Sequence, residues 1–172
     1  MTIYTYITHD HKDLRNKLER IEQEGAEASD VRTDLFNEFK ITLLRHTKSE
    51  EDTFYSALAD KTAAEDFLPG LKKDHAIIED YLHKLTQKDL KGQAWFLEFL
   101  KLKKLLTAHF NTEETTAFKT ARALFNEQEA LAIEEDMKSH KRHERENRDI
   151  RLREYDSQEE YVQTKTYGRT GS

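Results

Sequence analysis

Residues 46–55 read HTKSEEDTFY, and residues 109–118 read HFNTEETTAF. Both stretches share the pattern His-x-x-x-Glu-Glu-x-Thr, followed two positions later by an aromatic residue. In a helix, residues four apart lie on the same face. Each stretch therefore predicts a helix that directs a histidine and a glutamate towards the same neighbouring surface, and the chain carries this arrangement twice.

The repeated unit is larger than these two stretches. Residues 10–18 read DHKDLRNKL and residues 74–82 read DHAIIEDYL, so each has an Asp-His pair with a leucine seven residues after the histidine. One such segment precedes each His-x-x-x-Glu stretch. The two halves are thus predicted to be copies of one helical hairpin, whose first helix contributes a single histidine and whose second contributes a histidine and a glutamate.

The composition predicts an all-α protein. The chain has 172 residues, of which 36% are charged, with one proline and five glycines. Because helix breakers are so scarce, helices are favoured throughout. The net charge of −6 argues against a nucleic-acid-binding protein. The absence of cysteine excludes disulfides, zinc–thiolate sites and iron–sulfur clusters.

Four long helices are expected, because apolar residues recur at spacings of three, four and seven. The first is expected to begin with Thr8 as its N-cap and to end at Gly25. The other three are expected over residues 30–61, 69–90 and 93–125. The short connections between them predict an up-down-up-down four-helix bundle.

A fifth helix is predicted over residues 127–154, with apolar residues only at its start, at Leu131, Ile133 and Met137. We assign residues 1–137 to the bundle with the start of this helix, and residues 138–172 to a charged helical extension and a flexible tail.

The extension is locally basic. Residues 138–154 contain seven Lys and Arg against four Asp and Glu, and the polar end of the chain contains Gly168 and Gly171. Two interpretations stay open for this segment. It is a solvated extension, as charge runs usually are, or it is an arm that docks onto a protein partner or an anionic surface.

Nothing in the sequence predicts a membrane segment. The first residues, MTIYTYITHDHKDL, have neither the basic nor the apolar region of a signal peptide. No stretch approaches the length of about 18 apolar residues that a spanning helix needs. A cytoplasmic location without membrane contact is the expectation.

The histidines and glutamates on the inward helix faces predict a metal site. An unpaired, ionised glutamate such as Glu50 would be costly in a helix seam, yet Glu113 repeats it in the second hairpin. Four histidines and two glutamates are too many ligands for one tetrahedral zinc ion, and they fit two metal ions that share two carboxylates. Mixed imidazole and carboxylate ligands favour iron, with manganese as the alternative, over Ca²⁺ or Mg²⁺. The candidate ligands are His11, His46, Glu50, His75, His109 and Glu113.

With these motifs, the sequence resembles the hemerythrin-like, or HHE cation-binding, domain family over residues 8–125. The resemblance implies a four-helix bundle around a non-haem di-iron centre that binds dioxygen, nitric oxide or peroxide. It also implies that the four histidines are terminal ligands and that Glu50 and Glu113 are bridges. Oxygen-carrying hemerythrins have a further histidine four residues after the third-helix ligand, where this chain has Glu79. Glu79 is therefore a candidate seventh ligand, and simple reversible oxygen carriage is less favoured.

Other polar residues near the motifs are expected to support the site rather than bind metal. Glu51 and Glu114 lie about 100° around the helix from the bridging glutamates, which suits orienting an imidazole N–H. Asp10 and Asp74 are expected to cap helices or to play the same supporting role. Tyr55 and Phe118 are expected to pack beside the site, where a tyrosine hydroxyl could bind a ligand. The remaining histidines are not expected to be ligands: His9, His83, His140 and His143.

Three functions remain open from the sequence. The first is a hemerythrin-like di-iron protein that binds a small diatomic molecule or peroxide in sensing, scavenging or the response to iron or oxidative stress. The second is a di-iron enzyme that acts on peroxide or nitric oxide. The third is a metal-free helical interaction module that works through its basic extension.

Overall fold

The computed structural model describes residues 2–167, with side chains from residue 2 to residue 148, and every long element within this range is a helix. The helices of the first hairpin are α1 (Ile3–Glu24) and α2 (Asp30–Glu50), and α2 continues through a π-helical turn (Glu51–Tyr55) into α3 (Ser56–Leu58). A 3₁₀ turn (Thr62–Ala64) leads to the second hairpin, which consists of α4 (Leu68–Thr86) and α5 (Gly92–Thr112). A second π-helical turn (Glu113–Ala117) joins α5 to α6 (Phe118–Leu124), and α7 (Glu127–Tyr167) follows.

The four long helices α1, α2, α4 and α5 form the predicted up-down-up-down bundle. Helix α1 packs along α2, and α4 packs along α5, so each predicted hairpin is present. Contacts of α1 with α5 and of α2 with α4 join the two hairpins. Helix α7 lies outside this bundle, against α1, α2 and the first π-helical turn.

Several helix boundaries differ from the sequence-based prediction. Helix α1 begins at Ile3 with Thr2 as N-cap, rather than at Thr8, because Ile3 and Tyr4 pack into the core and draw the preceding turn into the helix. Helix α4 ends at Thr86, four residues before the expected end at Leu90. The predicted end of the first helix is confirmed, since Gly25 has a φ of 75°, which favours glycine.

Helix α7 extends further than the predicted end at residue 154 and reaches Tyr167. Met137 is fully buried against the bundle, whereas Leu131 is 40% exposed and contributes little to this contact. The predicted polar end with Gly168 and Gly171 lies outside the described residues. None of the described helices combines the length and the apolar character that a bilayer-crossing helix requires.

The core consists of two apolar clusters, with a layer of buried histidines and glutamates between them. One cluster surrounds Phe54, Tyr55 and Phe118, and the other surrounds Phe39 and Phe99. Each ligand-bearing helix contributes to this division, because its buried polar residue falls between its buried apolar residues. The bundle therefore encloses a polar layer that is closed to solvent on both sides along its axis.

Both π-helical turns occur at the repeated motif. The backbone N–H of Ser56 donates to the carbonyl of Glu51, and that of Phe118 donates to the carbonyl of Glu113, five residues back in each case. This wider turn accommodates one extra residue within the helix. As a result, the consecutive residues Phe54 and Tyr55 are both fully buried, although an α-helix would separate them by about 100°.

Candidate metal centre

The structure brings all six candidate ligands into one buried layer. Each is at most 2% exposed, and the four bundle helices, with the second π-helical turn, supply them. Two groups of four residues each present ligand atoms that lie within 4.8 Å of one another. The first group is His11, His46, Glu50 and Glu113, and the second is Glu50, His75, His109 and Glu113. Both glutamates belong to both groups, so the layer forms two adjacent four-residue sites with shared carboxylates.

Each of the four imidazoles contacts a carboxylate through its outer nitrogen, Nδ1. A carboxylate can only accept a hydrogen bond, so it holds the proton on Nδ1 and leaves the lone pair of Nε2 facing inward. The pairs are His11 with Glu114 at 2.8 Å, His46 with Asp10 at 2.9 Å, His75 with Glu51 at 2.8 Å, and His109 with Asp74 at 3.0 Å. These contacts are the ones expected of carboxylates that orient an imidazole N–H.

The pairs follow the duplication of the chain. Asp10 and His46 both belong to the first hairpin, and Asp74 and His109 both belong to the second. In contrast, Glu51 of the first hairpin contacts His75 of the second. The remaining pair, between Glu114 and His11, crosses between hairpins in the opposite direction. In each of these crossed contacts, a carboxylate of one hairpin fixes the orientation of an imidazole of the other hairpin.

The inward atoms of the layer provide the test of whether metal ions fit. The buried atoms without a hydrogen-bond partner include Nε2 of His11 and His46, both carboxylate oxygens of Glu50 and Oε2 of Glu113. Leaving such a group unpaired costs roughly 1–3 kcal/mol. The Nε2 atoms of His75 and His109 also face each other at 3.1 Å, and with the proton of each ring on Nδ1 neither of them can donate to the other. Cations between these atoms would satisfy all of them at once, so the donor set fits a metal centre.

The electrostatics of the two carboxylates differ. Burial raises the pKa of Glu50 well above its ordinary value, and the charge of Glu113 raises it further. Burial also acts to raise the pKa of Glu113, but the His11 imidazole, whose Nε2 lies 3.1 Å from Oε2 of Glu113, and the nearby His109 and His46 outweigh burial and lower it. Without a cation, the layer therefore retains a proton on Glu50 while Glu113 stays ionised.

Two of the imidazoles, those of His46 and His75, are kept in the neutral form that binds metals. Burial and the neighbouring His109 lower the pKa of His75 to about 3, and burial also lowers the pKa of His46. Burial acts in the same direction on His11, but its contacts with Glu113 and Glu114 outweigh burial and raise its pKa. A positive charge is thus most favoured near His11 and Glu113, which belong to the layer's first four-residue group.

Tyr55 makes the layer asymmetric. Its hydroxyl donates to Oε1 of Glu113 and lies 3.5 Å from Nε2 of His75. Its ring stacks on the His75 imidazole at 5.1 Å between centroids. The equivalent position in the second motif is Phe118, which has no hydroxyl, and the His11 ring is stacked instead by Phe110 at 4.1 Å. The sequence predicted that Tyr55 packs beside the site, but not its contact with a candidate bridging carboxylate.

The other candidates lie outside the two groups. Glu79 is exposed on α4, so we do not include it in the proposed ligand set. The remaining histidines among the described side chains are exposed or partly exposed, and none joins either group: His9, His83, His140 and His143.

The fold and the buried layer define a four-helix-bundle protein with a candidate two-metal centre. The family model of the hemerythrin HHE cation binding domain matches residues 2–121. The chain therefore belongs to the hemerythrin HHE family, and the family together with the buried His/Glu layer indicates metal binding.

A solved structure shows the same fold. It is the crystal structure of a hemerythrin HHE cation binding domain-containing protein from Mycobacterium kansasii, a homolog of Rv2633c. The two chains are 23% identical and superpose with a TM-score of 0.76, over 89% of this chain and 93% of the other. No curated protein matches this chain.

Proposed function

We propose that the buried layer holds two iron ions, with manganese as the alternative metal. His11 and His46 would bind one ion, and His75 and His109 would bind the other. Glu50 and Glu113 would bridge the two ions, because each belongs to both groups of ligand atoms. Two imidazoles with shared carboxylates leave open coordination positions, which is typical of non-haem iron sites that bind small oxygen or nitrogen ligands.

The protein would bind dioxygen, nitric oxide or peroxide in sensing, scavenging or the response to iron or oxidative stress. When bound, the iron ions would supply reversible ligand binding and electron transfer. The apolar clusters on both sides of the layer would exclude water from the bound ligand. Tyr55 would hold a proton next to the centre, because burial, with the charges of Glu50 and Glu113, raises the pKa of its hydroxyl well above the ordinary value.

The observation that carries this proposal is the pair of buried four-residue groups that share two carboxylates. Ultraviolet–visible spectra of the iron-reconstituted protein would test it, recorded before and after separate additions of dioxygen, nitric oxide and peroxide. We expect at least one of the three to produce a new charge-transfer band, with loss of this band in His109→Gln. The proposal would be contradicted if none of the three ligands changed the spectrum.

The hydroxyl of Tyr55 favours a second candidate function, the turnover of peroxide. In this reaction two hydrogen peroxide molecules give two waters and one dioxygen, so electrons and protons pass from the peroxide that is oxidised to the one that is reduced. The buried Tyr55 hydroxyl lies at the candidate bridge Glu113, where it could relay a proton between them. Peroxide decay by the iron-loaded protein would test this, with Tyr55→Phe as the variant and Tyr4→Phe as the control. Tyr4 is buried too, but its hydroxyl has no hydrogen-bond partner among the described residues. Slower decay in Tyr55→Phe alone is expected, and equal rates in all three proteins would contradict this role.

A further inference from the structure

A basic cleft lies between α2 and α7, beside the start of α1, on the outside of the bundle. Its volume is about 370 Å³, and five cationic side chains, one carboxylate and one tyrosine line it. These residues, which we call the basic cleft, are Tyr6, Asp10, Arg45, Lys138, Lys141, Arg142 and Arg145. The cleft contains none of the candidate metal ligands, although Asp10 lines the cleft and also contacts Nδ1 of His46.

The carboxylates near the cleft are already bound by other residues. Asp10 accepts a hydrogen bond from His46 and forms an ion pair with Lys141. Lys138 is paired with Glu134 at 2.8 Å and with Glu135 at 3.3 Å. Among the described side chains, no carboxylate within salt-bridge distance remains for the three arginines of the cleft, Arg45, Arg142 and Arg145.

The arginines also repel one another. Lys141, Arg145 and Arg148 follow one another at spacings of four and three, so they share one face of α7. Arg45 of α2 lines the same cleft as Arg142 and Arg145 of α7. The Nε atom of Arg148 is buried without a hydrogen-bond partner among the described residues. Facing cations at short range are unfavourable unless an anion lies between them.

We propose that the basic cleft binds the phosphate groups of a small molecule. Guanidinium groups bind phosphate oxygens through paired, charge-assisted hydrogen bonds, which few other anions match. Three arginines that have no carboxylate partner among the described side chains suit an anion of two or three charges. The volume of the cleft, about 370 Å³, is large enough to admit a diphosphate. The proposal does not rest on the proposed metal function, because none of the six candidate metal ligands lines the cleft.

Calorimetric titration of the full chain with inorganic pyrophosphate tests this proposal, at an ionic strength held constant with chloride. We expect saturable binding of one pyrophosphate per chain. Arg45→Gln and Arg145→Gln should each weaken it about tenfold or more, because each removes charge-assisted hydrogen bonds. Arg20→Gln is the matched control, since it makes the same change of charge at an exposed position of α1 outside the cleft.

Each outcome of this titration decides the proposal. The absence of saturable binding would overturn it, and so would equal weakening by Arg20→Gln. Arg142→Gln provides a second cleft variant on the exposed side of α7, where substitution does not disturb the core. If Arg45→Gln fails to fold, weakened binding by Arg142→Gln still supports the proposal and unchanged binding overturns it.

The source of the phosphate groups requires a second arm of the experiment. Vesicles of neutral phospholipid that also contain phosphatidic acid are mixed with the protein and sedimented. Sedimentation that pyrophosphate abolishes would support the cleft as a site for a lipid headgroup. Pyrophosphate binding without sedimentation would support it as a site for a soluble phosphorylated molecule.

Discussion

At the scale of single residues, the candidate metal centre depends on how the imidazoles are held. Every one of the four candidate histidine ligands has a carboxylate on Nδ1, at distances of 2.8 to 3.0 Å. Such contacts set the tautomer and the direction of the ring before any metal binds. The fold of the hairpins thus orients the imidazoles before a metal binds.

The first prediction concerns Asp74, whose carboxylate accepts from His109 at 3.0 Å. In Asp74→Asn the charge is lost and the histidine tautomer is no longer fixed, so iron affinity should fall by roughly 10- to 100-fold. Competition with a chromophoric chelator would measure this affinity. Asp80→Asn is the control, because Asp80 is an exposed residue of the same helix. An unchanged affinity in Asp74→Asn would contradict the supporting role of this carboxylate.

The second prediction concerns Glu50 in the metal-free protein. Burial raises the pKa of Glu50 above its ordinary value of 4.5. Below pH 4.5 the carboxyl group is protonated in both the folded and the unfolded chain, so its contribution to stability is fully present. As the pH rises from 4.5 through the folded-state pKa, the unfolded chain ionises first and this contribution is lost. Glu50→Gln removes this loss, so the metal-free variant should melt at a higher temperature than wild type at neutral pH.

The same substitution should have the opposite effect once iron is added. Glu50→Gln removes a candidate bridge, so the gain in melting temperature on adding iron should be smaller than in wild type. Thermal melts of both proteins with and without iron measure both effects. An equal gain in the two proteins would favour the metal-free interaction module instead.

Most of the site residues could be predicted from the sequence, because the duplication repeats each one at helical spacing. The inward direction of Glu50 and the sideways direction of Glu51 both follow from their positions after His46. The partner of Glu51 could not be predicted, because its contact with His75 depends on which hairpin faces which. The exposure of Glu79 could not be decided for the same reason, since its position on α4 is known only once the neighbouring helices are placed.

At the scale of elements, the two π-helical turns adapt the helices to the site. A continuous α-helix after Glu50 would place either Phe54 or Tyr55 away from the core, whereas the wider turn buries both. This arrangement brings the Tyr55 hydroxyl to Glu113. Apolar periodicity predicts uninterrupted helices here, since no glycine or proline marks the turn, so this feature could not be inferred from the sequence.

Helix α7 provides the third prediction. Met137 is fully buried between α7 and the bundle, while Leu131, which precedes it on the same helix, is 40% exposed. Met137→Ala should lower the free energy of unfolding by about 2–5 kcal/mol because it leaves a cavity. Leu131→Ala, as the matched control, should lower it by about 1 kcal/mol or less. Urea unfolding of the metal-free proteins measures both, and equal losses would contradict the packing of α7 through Met137.

The length of α7 could not be predicted from the sequence. Its start was predicted from apolar residues, but the helix continues to Tyr167 through a mainly charged segment. Glutamate, lysine and arginine have high helix propensity, so a helix can continue without an apolar face. The charge run at residues 138–154 therefore indicates a helix end less reliably than a glycine does, as Gly25 illustrates at the end of α1.

At the scale of the whole molecule, the duplication of the hairpin explains both the bundle and the site. Each hairpin alone supplies half of the imidazoles and one of the shared carboxylates. The complete layer forms only when the hairpins pack together, and the apolar clusters on both sides enclose it. The all-α bundle was predictable because its periodicity extends over four helices. The placement of α7 across α1 and α2 was not, since its apolar face is short.

An anaerobic titration of the metal-free protein with ferrous iron tests the two-ion centre most directly, with the bound iron per chain determined at saturation. We predict two irons per chain in wild type, and fewer in the double variant Glu50→Gln, Glu113→Gln, which lacks both shared carboxylates. Saturation at one iron or fewer per wild-type chain would contradict the account. So would the retention of both irons by the double variant.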